Sequence, residues 1–193
     1  MKRILLVCTG NTCRSPMAEA LFRKLAAARG VPAEVKSAGV AAYPGQPMSA
    51  HAADVLRERG IDPSGFRSSE ATAELVRWAD LILTMTSHHK RHLLELYPDA
   101  VEKTFALKEY AGADAETAAL HAERESLAAE LQMRMALGKP IRAEERERLY
   151  ELDRKLPDPD ISDPIGGSRA RYERTADEIE TAIRAVLERL YSE

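Results

Sequence analysis

The residues with the most chemistry in this chain stand close to its start, in the string Cys8-Thr9-Gly10-Asn11-Thr12-Cys13-Arg14-Ser15-Pro16. A thiol opens the string, a guanidinium and a hydroxyl close it, and Gly and Asn lie between. Covalent phosphoryl transfer needs a strong nucleophile, donors for the phosphoryl oxygens and a proton for the leaving group. A loop between a strand and a helix N-terminus supplies donors, because its backbone N–H groups point inward and the helix dipole favours an anion there. Gly10 and Asn11 are the residue types that accept the unusual backbone angles of such a nest. Arg14 adds a planar fork for two oxygens at once, and the same positive surroundings favour a thiolate at Cys8. Ser15 can hydrogen-bond that thiolate and steady the sulfur as it leaves.

A bare Cys-x5-Arg spacing arises by chance in chains of this length, where it marks only a buried cysteine with an arginine nearby. Context lifts this one above that reading. The match follows a short apolar run, opens a helix, and carries Gly, Asn and Ser at useful places. The missing proton donor has a candidate in Asp158-Pro159-Asp160-Ile161-Ser162-Asp163-Pro164. Strings of this kind are usually solvated turns, yet a nucleophile at a strand end needs a carboxylate from late in the chain. Asp163 fits better than Asp158, because Ile165-Gly166-Gly167-Ser168 follows it and leads into the final helix.

The elements that must position these residues follow from hydrophobic periodicity. Residues 3–8 form a continuous apolar run, as a strand buried on both faces does. Pro16 suits the first turn of the next helix, whose apolar face is Ala18, Leu21, Phe22 and Leu25, and Gly30 stops it. Further strands are expected over Val35–Ala38, Asp80–Met85 and Val101–Leu107. Helices are expected from Ser49 to Arg59, Ala71 to Trp78, His88 to Tyr97 and Arg169 to Tyr191. Alternating strands and helices imply a parallel sheet with ligands at its carboxyl edge, where Cys8 falls. Residues 114–156 break the rhythm. Leu120, Leu127, Leu131 and Met135 recur at helical spacing, and after Gly138-Lys139-Pro140 so do Leu149, Leu152 and Leu156, which predicts an inserted helical hairpin. Its place before the acidic string fits a lid or a docking arm, and equally a stabilising decoration or a dimer contact.

Composition bounds the function. The chain has 193 residues, 45% apolar and 31% charged, with net charge −3, which reads as one globular domain, 1–193, with 114–156 inserted in it. No block of like charge suits a nucleic acid. The apolar start, Met1–Thr9, is too short for a signal peptide, and no run is long enough for a bilayer, so a soluble cytoplasmic protein with no membrane partner is expected. Cys8 and Cys13 are too few for a disulfide framework or a structural zinc site. Oligomeric state stays open.

Cys8–Ser15 resembles the signature loop of the low-molecular-weight protein tyrosine phosphatases. Ser37-Ala38-Gly39 and Asp163-Pro164 are similar to that family's stretch after the second strand and to its acid loop. The resemblance covers about residues 1–112 and 157–193. It implies an α/β fold with a four-stranded parallel sheet flanked by helices, and hydrolysis of phosphorylated proteins through a phosphocysteine with no metal and no cofactor. Carried over residue by residue, Cys8 is the nucleophile, Arg14 binds phosphate, and Asp163 is general acid, then base. Thr9, Gly10, Asn11, Thr12, Cys13 and Ser15 make up the rest of the substrate-binding loop. The short loop also makes Cys13 the expected redox partner of Cys8.

Two features turn the expectation from phosphotyrosine to phosphoarginine. Tyrosine-specific members usually hold an aliphatic residue where Thr12 stands and aromatic residues after the Asp-Pro, where this chain has Ile165 and Gly166. A threonine hydroxyl makes the wall more polar, which suits a guanidinium better than a phenyl ring. With Lys108-Glu109-Tyr110, these features resemble the protein arginine phosphatase branch. A tyrosine phosphatase is the alternative. Thioredoxin-coupled arsenate reductases share the loop but need two later cysteines, and none follows Cys13. A non-catalytic phosphoprotein-binding module predicts loss of the nucleophile or the acid, and both are present. His88, His89 and His92 are expected on a solvated helix face, Trp78 in the core, and Met133 and Met135 in packing.

Overall fold

The computed structural model describes residues 1–112 and 115–191. Asp114, where the sequence reading begins the hairpin, lies outside them. By compactness the chain divides into one unit of Met1–Ala111 with Pro159–Glu193 and another of Gly112–Asp158.

In the first unit four strands form a wholly parallel sheet in the order β2-β1-β3-β4, with β1 at Lys2–Cys8, β2 at Ala33–Gly39, β3 at Leu81–Thr84 and β4 at Thr104–Ala106. Ile4 to Val7 are wholly buried, as a central strand covered on both faces must be. The pleat sends Ile4, Leu6 and Cys8 into a core with α1 (Arg14–Ala28), α2 (Ala50–Glu58) and α8 (Arg169–Tyr191). Leu5 and Val7 go into a second, smaller core with α3 (Ala73–Trp78) and α4 (Ser87–Leu96). These layers make the α/β sandwich that the alternating pattern requires. Trp78 is partly buried against the smaller core, with the Lys36 ammonium 4.3 Å from its ring centroid.

The fourth strand is shorter than the sequence suggests. Pro98 at the start of a 3₁₀ turn carries Pro98–Lys103 out of extended backbone, and Leu107 already belongs to α5, Leu107–Ala111. Only Thr104–Ala106 pair with β3.

The second unit contains α6 (Ala115–Ala136) and α7 (Ala143–Lys155). Ion pairs between the two helices, Arg124–Asp153, Arg134–Glu145 and Arg148–Glu123, span 2.9, 2.7 and 2.7 Å. Leu131 and Leu152 are buried, whereas Met133 and Met135 are exposed. The expectation that those methionines pack is therefore wrong. The covered positions of α6 run through Leu120, Leu127 and Leu131 to Arg134, and one residue further the helix has turned outward. Among the described residues, no helix is long and apolar enough to cross a membrane.

Candidate active site

Cys8 is the last residue of β1 and only 3% exposed, and α1 begins six residues on at Arg14. The turn between them needs one residue in left-handed backbone, and Asn11 takes it with φ at 53°, the one non-glycine to do so among the described residues. Gly10 does not share that role. Its φ is not in the left-handed region, and a β-carbon there would make only an ordinary contact with Thr12 at 3.8 Å. The glycine that the loop demands is Gly39, which pairs with Cys8 across the sheet. A β-carbon at Gly39 would fall 2.3 Å from the Thr9 carbonyl oxygen and 3.0 Å from the Asn11 nitrogen.

A buried polar network holds the loop. Ser15 Oγ lies 3.0 Å from Cys8 Sγ. Asn11 Nδ2 donates to Ser15 Oγ and to Ser37 Oγ, at 2.9 Å each, and Asn11 Oδ1 accepts from the Ser69 N–H at 2.8 Å. Every polar atom of the Asn11 side chain is thus bonded, which offsets its complete burial. Arg14, with a side chain 7% exposed, donates from Nη1 to the Ile161 carbonyl at 3.3 Å and from Nη2 to Asp163 Oδ2 at 2.9 Å. The Asp163 side chain is 46% exposed, so the pair sits at the mouth of the loop.

The string around Asp163 is anchored from several sides. Ile161 is buried, and its N–H donates to the Met85 carbonyl at the end of β3 at 2.8 Å. The Lys108 ammonium donates to the Asp160 carbonyl at 2.7 Å and pairs with Glu178 at 2.5 Å. Glu178 also accepts from the Ser162 hydroxyl at 2.6 Å. Burial opposes the charge on Glu178, but Lys108 and Ser162 outweigh it and hold its carboxyl below its ordinary range. Asp160 accepts from the Ser87 N–H and hydroxyl at 2.7 and 2.9 Å, at the first residue of α4. Lys108 therefore acts on the acidic string, and Glu109 takes the Lys90 ammonium at 3.1 Å and the Ala106 N–H at 2.9 Å.

Thr12 is partly exposed, and its carbonyl accepts from the Ser49 N–H at 2.9 Å. Cys13 Sγ donates to Ser49 Oγ at 3.3 Å and lies 3.4 Å from the Tyr172 hydroxyl. Burial and that contact push the Tyr172 phenol above its ordinary range. Both cysteines are free thiols.

His89 corrects the sequence reading. It is buried, with Nε2 at 2.7 Å from Thr9 Oγ1 and Nδ1 at 2.9 Å from Thr86 Oγ1. Burial, then the nearby charge of Arg14, lowers its pKa to about 4, so the ring is neutral near pH 7. His88 is exposed and His92 partly so, as expected for a solvated face. The signal for His89 was its place four residues before the buried Leu93, on the inward side of α4.

The family model for the low molecular weight phosphotyrosine protein phosphatases matches residues 3–123. A protein-arginine-phosphatase of Geobacillus stearothermophilus is 37% identical over 192 residues, covering 99% of this chain and 97% of the relative. A probable low-molecular-weight protein-tyrosine-phosphatase of Ralstonia solanacearum is 44% identical over 109 residues, covering 56% and 72%. The solved structure of a YwlE arginine phosphatase, a cysteine-to-serine mutant with a phosphorylated active-site serine, superposes with TM-score 0.72 at 33% identity, over 97% of this chain and 95% of that one. The chain belongs to the low-molecular-weight phosphotyrosine protein phosphatase family and is a protein phosphatase.

Proposed function

We propose that this protein removes the phosphoryl group from phosphoarginine in other proteins, through a phosphocysteine on Cys8. The Cys8 thiolate attacks phosphorus, an S–P bond forms, and the P–N bond to the guanidino group breaks. Asp163 gives its proton to the departing nitrogen. Arg14 and the backbone N–H groups of Thr9 to Ser15 bind the phosphoryl oxygens as charge shifts in the transition state. Water then attacks phosphorus, Asp163 accepts its proton, and the S–P bond breaks to return Cys8 while Ser15 donates to the leaving sulfur. Residues 1–193 act as one phosphatase domain with 114–156 inserted.

The observation that carries this reading is the Arg14–Asp163 ion pair at 2.9 Å, which brings a carboxylate from late in the chain to the guanidinium of the residue preceding Ser15, whose hydroxyl lies 3.0 Å from Cys8 Sγ. Four things favour phosphoarginine. Thr12 presents a hydroxyl at a partly open position, and the residue after Asp163-Pro164 is Ile165, 69% exposed, rather than an aromatic wall. The carboxylate at the mouth suits a cationic leaving group. The sequence likeness to the Geobacillus protein-arginine-phosphatase also spans 99% of the chain and that to the Ralstonia protein 56%, although a solved structure named a tyrosine phosphatase, from T. tengcongensis, also matches over 98% of it. The test is intact-mass analysis of enzyme quenched during the first turnover of a phosphoarginine peptide. One phosphoryl group on Cys8 is expected. Turnover with no adduct, or wild-type turnover by Cys8→Ser, overturns the reading.

A further inference from the structure

Behind the nucleophile loop, between α1 and the segment after α2, lies a cavity of about 790 Å³ that none of residues 8–15 lines. That volume suits a small organic ligand. Three of its wall residues are tied to the loop. Ser37 Oγ accepts from Asn11 Nδ2 at 2.9 Å and donates to Glu19 Oε2 at 2.5 Å, and the Ser69 N–H donates to Asn11 Oδ1 at 2.8 Å. Glu19, Ser37 and Ser69 therefore face the cavity while clamping the one non-glycine residue that gives the loop its left-handed turn. From the cavity wall to the thiol, the bonds run Glu19, Ser37, Asn11, Ser15, Cys8.

The lining also selects a ligand. Four cations, Arg23, Lys24, Lys36 and Arg67, and two carboxylates, Glu19 and Asp62, line it, and the Lys36 ammonium is taken up outside it by Glu34 at 3.9 Å and the Trp78 ring. Arg23 is matched by Glu19 at 2.7 Å, whereas Arg67 donates to the carbonyls of Ser64 and Phe66, and Lys24 to that of Arg59. Asp62 is bonded to Ser64 N–H and Oγ at 2.9 and 2.8 Å, which holds its carboxyl below its ordinary range. The surplus charge is positive, and Leu56, Ile61 and Phe66 supply an apolar surface beside it. Such a lining fits an anionic head on a flat apolar body.

We propose that this cavity is a regulatory binding site for a small organic anion with a flat apolar body, which acts on the nucleophile loop through Ser37 and Ser69. A ligand there changes the rate without competing with substrate, because the two sites share a wall but no lining residue of the Cys8–Ser15 loop. An anion near Ser37 competes with Glu19 for its hydroxyl and so alters the clamp on Asn11.

The probe is 8-anilinonaphthalene-1-sulfonate, followed by its fluorescence, with inorganic phosphate saturating the nucleophile loop. The expected result is saturable binding that persists in phosphate and weakens about tenfold or more in the Lys24→Glu/Arg67→Glu double variant. The uncharged analogue 1-anilinonaphthalene should bind less tightly. In wild type the bound probe should change kcat on a small aryl phosphate with KM unaltered, each protein being compared with its own probe-free rate. The Ser69 amide resonance should shift with the same midpoint as the fluorescence, a readout that does not depend on the variant. Displacement of the probe by phosphate, equal binding in the double variant, equal binding of the uncharged analogue, an unmoved Ser69 amide, or an unchanged rate with the probe bound would each overturn the proposal.

Discussion

Asp163 Oδ2 lies 2.9 Å from Arg14 Nη2, while its Oδ1 accepts the Ile165 N–H at 3.1 Å. The proposed proton donor and the proposed phosphate binder are thus bonded to each other. On the proposed mechanism, a phosphoryl group seated in the loop would compete with Asp163 Oδ2 for Arg14 Nη2, and that oxygen, once released, would be the one to protonate the leaving nitrogen.

Asp163→Asn should lower kcat on a phosphoarginine peptide by roughly 10²–10⁴-fold, the usual scale for a lost general acid. The loss should be smaller on p-nitrophenyl phosphate, whose leaving group needs little protonation. Steady-state rates on both substrates check this, and equal losses would show that Asp163 supports the loop rather than supplying a proton.

Gly39→Ala should damage the loop although Gly39 touches no substrate. Its β-carbon would meet the Thr9 carbonyl at 2.3 Å and the Ala42 side chain at 2.8 Å. Forcing a methyl into such a space costs about 1–3 kcal/mol or more, and the atom that must yield belongs to the phosphate loop. A fall in melting temperature together with a fall in kcat is expected. A variant that melts lower but turns over as wild type would separate Gly39 from the site.

His89 should make stability depend on acid pH. Its pKa in the fold is about 4, below the ordinary value of 6.5, so the unfolded chain takes up the proton first as pH falls. The contribution is fully present above about pH 6.5 and is lost progressively towards pH 4, by roughly 3 kcal/mol at most for a shift of this size. Urea midpoints at pH 5 and pH 7 test it. His89→Gln should show a smaller difference between the two, and an undiminished difference would place the acid sensitivity elsewhere.

Cys13 should protect Cys8 from irreversible oxidation by forming a disulfide with it under mild peroxide. Ser49 and Tyr172, which hold Cys13 Sγ at 3.3 and 3.4 Å, have to release it first. Activity regained after thiol treatment should be lower in Cys13→Ser than in wild type. Equal recovery would remove Cys13 from the redox chemistry.

Much of this was legible in the chain itself, because its strongest signals are local. The unbroken apolar run Ile4–Val7, too short for a helix of its own and followed directly by Cys8 to Ser15, reads as a strand covered on both faces, and all four residues are buried. The final helix was readable from its stripe of Ile179, Ile183, Val186 and Leu187, all buried. What escaped depends on contacts remote in sequence. Val101–Lys103 look like strand residues, but Pro98 and the 3₁₀ turn claim them. Ser37 stood out in its Ser-Ala-Gly setting, yet its bond to Asn11 spans 26 positions and that of Ser69 spans 58. His89 was hidden by its polar neighbours His88 and His92, which make the start of α4 read as a solvated face although His89 lies on the side of Leu93. Gly10 was credited with a conformation that Asn11 alone adopts, because residue type tells which positions can turn left-handed and not which one does.

The most direct test of the account is kcat/KM on two peptides of one sequence, one carrying phosphoarginine and the other phosphotyrosine, for wild type and Thr12→Ile. Wild type should prefer phosphoarginine. Thr12→Ile should move the ratio towards phosphotyrosine by about one to three kcal/mol, the scale of a single pocket contact. A wild-type enzyme that prefers phosphotyrosine, or a ratio that Thr12→Ile leaves unmoved, would contradict the assignment.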